Sequence, residues 1–181
     1  MRLAFMMALA ALTAQAGSRA GDAPPKIDQA TMAKVSDGVD YGFRQLWPEY
    51  PSESVGVTQL IYIRGYGAVL SGKLNLAPGL GVTPFHPEIT KDDKARTRNE
   101  KVKRMPKLRA AMQDLLLKSA AQLREVPDNE EVALGVSLFY WHWEDRAGLP
   151  DQVVMHGTKK ALLAAGQDKV ALTTAVKVDE F

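Results

Sequence analysis

Cysteine is absent from the sequence, which excludes thiol catalysis, cysteine-ligated zinc, iron–sulfur clusters, disulfide staples and a lipobox-type lipid anchor. Histidine is scarce. His86, His142 and His156 are widely separated, and although His142 and Glu144 sit at i and i+2, no third ligand accompanies them, so no metal site is expected. Aromatic residues are missing from the whole stretch between Phe85 and Phe139, which removes the stacking platforms that single-stranded nucleic acids use. Neither sign of charge dominates: 23 Lys and Arg face 21 Asp and Glu, and this balance implies no polyanion partner. No repeat of roughly 20–50 residues is visible, which argues against a solenoid. Beyond the N-terminus, no apolar run approaches the length of a bilayer span.

The N-terminus itself reads as an address. Arg2 supplies a positive start, Leu3 to Leu12 form a short apolar stretch, and Ala14-Gln15-Ala16 has the small-x-small pattern that signal peptidase accepts. The expectation is a signal peptide over 1–16, cleavage before Gly17, and a periplasmic or extracellular destination. Residues 17–26, small, polar and proline-containing, read as a flexible leader. Residues 27–181 then form one domain, long enough to bury roughly two thirds of the surface its unfolded chain exposes.

From Asp28, the residues Met32, Val35, Val39, Phe43 and Leu46 recur at spacings of three and four, predicting an amphipathic helix over about 30–46. Its internal Gly38 and Gly42 weaken it, so packing must hold it. Thr58 to Leu76 predicts a β-hairpin turning at Arg64-Gly65, with Gly67 permitting close approach of another backbone or a ligand. Pro78, Gly79, Gly81, Pro84 and Pro87 predict an irregular connection. After Pro106, placed where a helix would start, Leu108, Met112, Leu115, Leu116, Ser119 and Leu123 predict a helix over 106–124. Glu131 to Trp143 alternates with both faces largely apolar, predicting a central strand covered on each side. A strand at 152–156, a short helix capped by Thr158 and stopped by Gly166, and a last strand near 171–178 complete the chain. The fold class is α+β: a single domain with a mixed, mainly antiparallel sheet packed against two longer amphipathic helices.

The densest chemistry lies at the end of the central strand. Glu144, Asp145 and His142 are the candidate catalytic residues, a carboxylate serving as general base with the imidazole as its partner. Arg64, Tyr66, Trp141, Trp143 and Arg146 are the candidate ligand-binding residues, Trp143 offering a flat apolar face for a sugar ring. The bland alternative is a turn in which the tryptophans pack and Asp145 pairs with Arg146, and it is the favoured one. Ser137 lacks the second glycine of a nucleophile elbow, and Arg64-Gly65-Tyr66-Gly67 lacks the helix that would hold a phosphate, so no nucleotide or other cofactor is expected.

Lys91 to Arg109 carries nine bases and three acids, a local charge of +6. It could attract an anionic surface such as lipid head groups or acidic polysaccharide. A solvated helix face is the preferred explanation, on which Lys101→Ala would cost little.

Tyr62 to Val69 (YIRGYGAV) and Trp143 to Met155 (WEDRAGLPDQVVM) resemble blocks found in exported bacterial proteins of similar length that have no assigned activity. The resemblance spans most of the chain and implies a one-domain envelope or secreted protein, with no catalytic residue to carry over. The function expected is therefore a non-catalytic binding or accessory module of the envelope or periplasm. The alternative is a small periplasmic hydrolase using Glu144 or Asp145 with His142, in a cleft beside Tyr66 and Trp143.

Overall fold

The computed structural model of the chain describes residues 26–78 and 88–181. The expected signal peptide, nearly all of the expected leader and most of the proline-rich connection lie outside the described residues. In chain order the elements are α1 (Gln29–Arg44), β1 (Glu53–Ser54), β2 (Gln59–Ile63), β3 (Gly67–Asn75), α2 (Lys91–Gln122), β4 (Glu131–Leu138), β5 (Gln152–Thr158), α3 (Lys159–Ala165), α4 (Lys169–Ala175) and β6 (Lys177–Glu180).

The hairpin β2–β3 forms as its sequence predicts. Gly65 takes φ 79°, and the Tyr66 N–H closes the turn on the Ile63 carbonyl at 3.0 Å. Gly67, at φ 134°, has the backbone of Glu131 directly beside it, and a Cβ there would overlap the Glu131 carbonyl oxygen. The close approach that Gly67 allows is thus to the neighbouring strand. β3 and β4 run parallel at the sheet centre, linked by the long α2 crossover. All other pairings are antiparallel: β4 with β5, β5 with β6, and both β1 and β2 with successive parts of the outer edge of β3. The protein is a single α+β domain with a mixed sheet.

Strand register sorts the side chains into two faces. Ala68, Leu70 and Leu74 stand beside Val132, Leu134 and Leu138, and Met155 and Val153 continue the row. These residues join Val35, Val39 and Phe43 of α1 and Met105, Leu108, Met112 and Leu116 of α2 in one buried cluster. Gly42 explains how a helix weakened by glycine is held. A Cβ at that position would collide with the Leu115 side chain, so its absence lets α1 and α2 meet closely.

The other face of the sheet carries no helix among the described residues, which corrects the expectation of a strand covered on both sides. Ala133 and Gly135 are buried there because they are small, with Gln152 and Val154 of the neighbouring strand close above Gly135. Toward the β2 edge the same face exposes Ile61 and Ile63, each about half accessible at 51% and 49%.

Three element boundaries differ from expectation, the first being that of β4, which ends at Leu138 and not at Trp143 because the chain turns between Trp141 and Glu144. α2 starts at Lys91, not Pro106, with Thr90 and Asp93 forming a capping box at 3.1 Å in both directions. The inward stripe of its first half is Asp93, Thr97, Lys101 and Arg104, polar residues that a search for apolar periodicity passes over. Pro106 lies inside the helix on its exposed side, where the loss of one N–H leaves the Val102 carbonyl next to solvent. The segment expected as the last strand is α4 up to Ala175, and β6 begins only at Lys177. Asp168 caps α4 by accepting from the Val170 and Ala171 N–H groups. Thr173 and Thr174 donate back to the Lys169 and Val170 carbonyls, which accommodates β-branched residues in a helix.

Candidate functional site: the strand-end turn on the basic helix

Past Leu138 the chain leaves the sheet through a turn closed from both sides. The Glu144 N–H donates to the Trp141 carbonyl, and the Trp141 N–H donates to Glu144 Oε1, each at 3.0 Å. Glu144 is therefore aimed back into the protein, and its Oε2 lies 2.5 Å from Lys101 Nζ. The two side chains are 2% and 1% exposed, so this is a buried ion pair between the turn and the middle of α2's charged half. Lys101 Nζ also donates to the Phe139 carbonyl at 2.9 Å and sits 4.5 Å from the centre of the Tyr140 ring. The approach of Nζ to Oε2 is close but off the angle of a directed hydrogen bond, so charge holds the contact. Burial pulls the Lys101 ammonium below its ordinary pKa, an effect Glu144 opposes.

The rest of the turn is held in the same way. Asp145 accepts from the Ala147 N–H at 2.9 Å and faces Arg98 Nε at 3.5 Å, while Arg98 clamps the Ala147 carbonyl through Nε and Nη2 at 3.0 and 2.7 Å. Arg146 pairs with Asp151 at 2.8 Å, rather than with Asp145 as the turn reading had it. The Tyr140 hydroxyl donates to the Pro150 carbonyl at 2.7 Å, and burial together with Asp151 and Glu144 pushes its pKa well above the ordinary value. Trp141 packs edge-on against Phe139 at 5.0 Å, with Lys73 over the Phe139 ring. Trp143 is half-buried and His142 exposed, and no hydrogen bond joins His142 to Glu144 or Asp145.

Arg64 and Tyr66 are not part of this cluster. The Glu131 N–H bonds to the Tyr66 carbonyl at the beginning of β4, whereas Trp141 to Arg146 follow its end. Because β3 and β4 are parallel over eight paired positions, the two groups are separated by about 25 Å of strand. No cleft can lie beside both Tyr66 and Trp143.

The basic run of α2 is only partly solvated, which corrects the expectation for Lys101 in particular. Lys101 and Arg104 are buried. Arg104 donates to Glu100 at 2.8 Å and to the carbonyls of Tyr50 and Leu76 at 2.9 and 2.6 Å, and stacks 5.0 Å from the Trp47 ring. Lys107 donates to the Leu46 carbonyl, Arg96 pairs with Asp93 and Arg109 with Glu180. Lys91, Lys94 and Lys103 are left without a partner among the described residues. Arg96, Lys103 and Arg104 also line a cavity of about 750 Å³ facing Tyr50, Pro51 and Pro78, and none of the eight sequence-selected candidates lines it.

Strand pairing creates one cluster that sequence reasoning missed. On the helix-free face, His156 has Glu131 Oε2 3.0 Å from Nδ1 and Asp179 Oδ2 3.4 Å from Nε2. The carboxylates lie on opposite ring nitrogens, so they flank the imidazole instead of converging on an ion. Tyr66 stands nearby, its pKa raised by burial and by the Glu131 and Asp179 charges. The three strands involved come from distant parts of the chain, and alternation within one strand carries no sign of the pairing. No protein-family model, curated protein or solved structure matches the chain.

Proposed function

We propose that the chain is an exported protein of the envelope or periplasm that works as a non-catalytic binding or accessory module, akin to the exported bacterial proteins its YIRGYGAV and WEDRAGLPDQVVM blocks resemble. The observation that carries this reading is the Lys101–Glu144 pair. A general base must reach the proton of a bound substrate, and the best-placed carboxylate of the chain is turned inward against a lysine instead. Asp145 is engaged by Arg98 and a backbone N–H, and the exposed His142 makes no hydrogen bond to either carboxylate. The hydrolase alternative thus finds its two carboxylates tied into the turn.

What remains for a partner is surface. The helix-free sheet face exposes Ile61 and Ile63, with Val69 and Val154 part-buried beside them, and carries the Phe139–Trp141 pair at the far end of β4, beyond Ser71, Lys73 and Ser137.

Two measurements test the reading. Intact mass of the protein recovered from its native compartment should begin at Gly17, and an uncleaved N-terminus in that material would end the export proposal. A photo-crosslinking residue at Ile61 should give a discrete adduct in the envelope fraction, while one at the exposed helical Lys34 should not. Hydrolytic turnover that disappears in a folded Asp145→Asn or His142→Ala variant would replace the binding module with the enzyme.

A further inference from the structure

Among the described residues, β6 is an edge strand with no partner on its outer side. Gln152 and Phe181 exchange both backbone hydrogen bonds, at 3.2 and 3.1 Å. This makes them a hydrogen-bonded pair and sets the alternation along the two strands. Lys177 and Asp179 therefore direct their backbone groups to β5, and Val178 and Glu180 direct theirs outward. β6 ends the sheet, all four of its residues are exposed, and no described group accepts from the Val178 or Glu180 N–H. Val178 is itself 44% exposed.

We propose that β6 is a self-association edge, pairing antiparallel with β6 of a second copy about a two-fold axis through Val178. In that register each Val178 donates to and accepts from the other Val178. Each Glu180 N–H reaches the Val176 carbonyl of the other copy, while the Val176 N–H stays on the Leu172 carbonyl of its own α4. Four backbone hydrogen bonds result.

Side chains select this register. Lys177 and Asp179 lie on the same, helix-free face, and the two-fold places each Lys177 directly opposite the Asp179 of the other copy, twice over. Sliding the pairing by two residues either way, the smallest shift that keeps side chains on their own faces, opposes Lys177 to Lys177 or Asp179 to Asp179. Charged residues on an edge strand ordinarily discourage pairing, but here they penalise every register except the self-complementary one. The axis stands perpendicular to the sheet, so both helix layers remain on one side and twelve strands, six from each copy, form a continuous sheet. This inference rests on backbone pairing and charge, independently of the proposed export.

Sedimentation equilibrium of the full chain, from micromolar to about 1 mM, reads the association directly. A monomer–dimer equilibrium is expected. Val178→Pro removes an N–H that β5 does not use, so the monomer should keep its circular dichroism while the dimer is lost. Lys177→Asp should weaken association tenfold or more, and Lys177→Asp combined with Asp179→Lys should restore it. Leu60→Pro is the control at the opposite edge. The Val55 N–H bonds to the Lys73 carbonyl, so the odd-numbered residues of β3 face that edge, and Leu60, opposite Leu70, points its N–H outward from β2. A chain that stays monomeric throughout overturns the proposal. So does a dimer that survives Val178→Pro and the charge reversal, or one that is lost only with Leu60→Pro.

Discussion

Lys101 of α2 and Glu144 of the turn after β4 form an ion pair at 2.5 Å in which both side chains are almost wholly withdrawn from solvent. The pair joins the two segments that are richest in charge. The strand-end cluster and the basic helix, separate in the sequence, are two halves of one internal contact.

Breaking that contact from one side leaves the other charge buried and alone. Lys101→Ala should therefore destabilise the protein by about 3–5 kcal/mol, while Lys101→Met with Glu144→Leu, which removes both charges and keeps the volume, should recover most of the loss. Urea denaturation of the two variants decides it, and a Lys101→Ala midpoint equal to that of the parent would show that the pair does not hold the turn.

Leu115 and Leu138 approach the core from α2 and from the end of β4, and each is only 7% exposed. Truncating either to alanine should cost about 2–5 kcal/mol. Leu115 also fills the space left by the missing Cβ of Gly42, so Gly42→Ala should be destabilising in the parent and less so in the Leu115→Ala background. Chemical denaturation of the four proteins forms a double-mutant cycle, and strict additivity would count against that contact.

Arg109 holds the Glu180 carboxyl below its ordinary value of 4.5. The unfolded chain titrates at the ordinary value, so the stabilising share of this pair is complete above it and is lost as pH falls through the lower folded value. The pair is partly exposed and worth about 0.2–1 kcal/mol. Between pH 5 and 3, roughly the window of such a carboxylate, Glu180→Gln should lose less stability than the parent. Parallel acid limbs in thermal melts would contradict the assignment.

Among the described residues, the bases of the run without a side-chain partner are Lys91, Lys94 and Lys103, and at about 1 kcal/mol each on an anionic surface they supply only weak attraction. The protein should sediment with anionic vesicles at low salt, be released near physiological ionic strength, and ignore neutral vesicles. Retention at physiological salt would mean that the ion pairs of α2 open on the membrane.

Local signals proved sound wherever the determining interaction is local. The Arg64-Gly65 reversal, the Thr158 cap and the Gly166 stop all act within a few residues, and each stands where its residues place it. The first half of α2 was illegible because its inward residues are Asp93, Thr97, Lys101 and Arg104. For Lys101 and Arg104, burial depends on Glu144 and on the carbonyls of Tyr50, Leu76 and Phe139, which the chain brings in from elsewhere, Glu100 alone coming from the same helix. The candidate site failed to assemble for a similar reason. Nothing within YIRGYGAV or WEDRAGLPDQVVM states that β3 and β4 run parallel, and that direction alone sends Tyr66 and Trp143 to opposite ends of the sheet.

By itself, then, the sequence determined the α+β class, the hairpin, the apolar stripes of both long helices and the concentration of ionisable groups after β4, because these follow from periodicity and turn chemistry. Only tertiary structure decided which charges are interior, which face of the sheet is bare, and that His156 stands between Glu131 and Asp179. Those outcomes depend on strand order and direction, and the buried charge of Lys101 is tolerated because Glu144, distant in the chain, arrives to neutralise it.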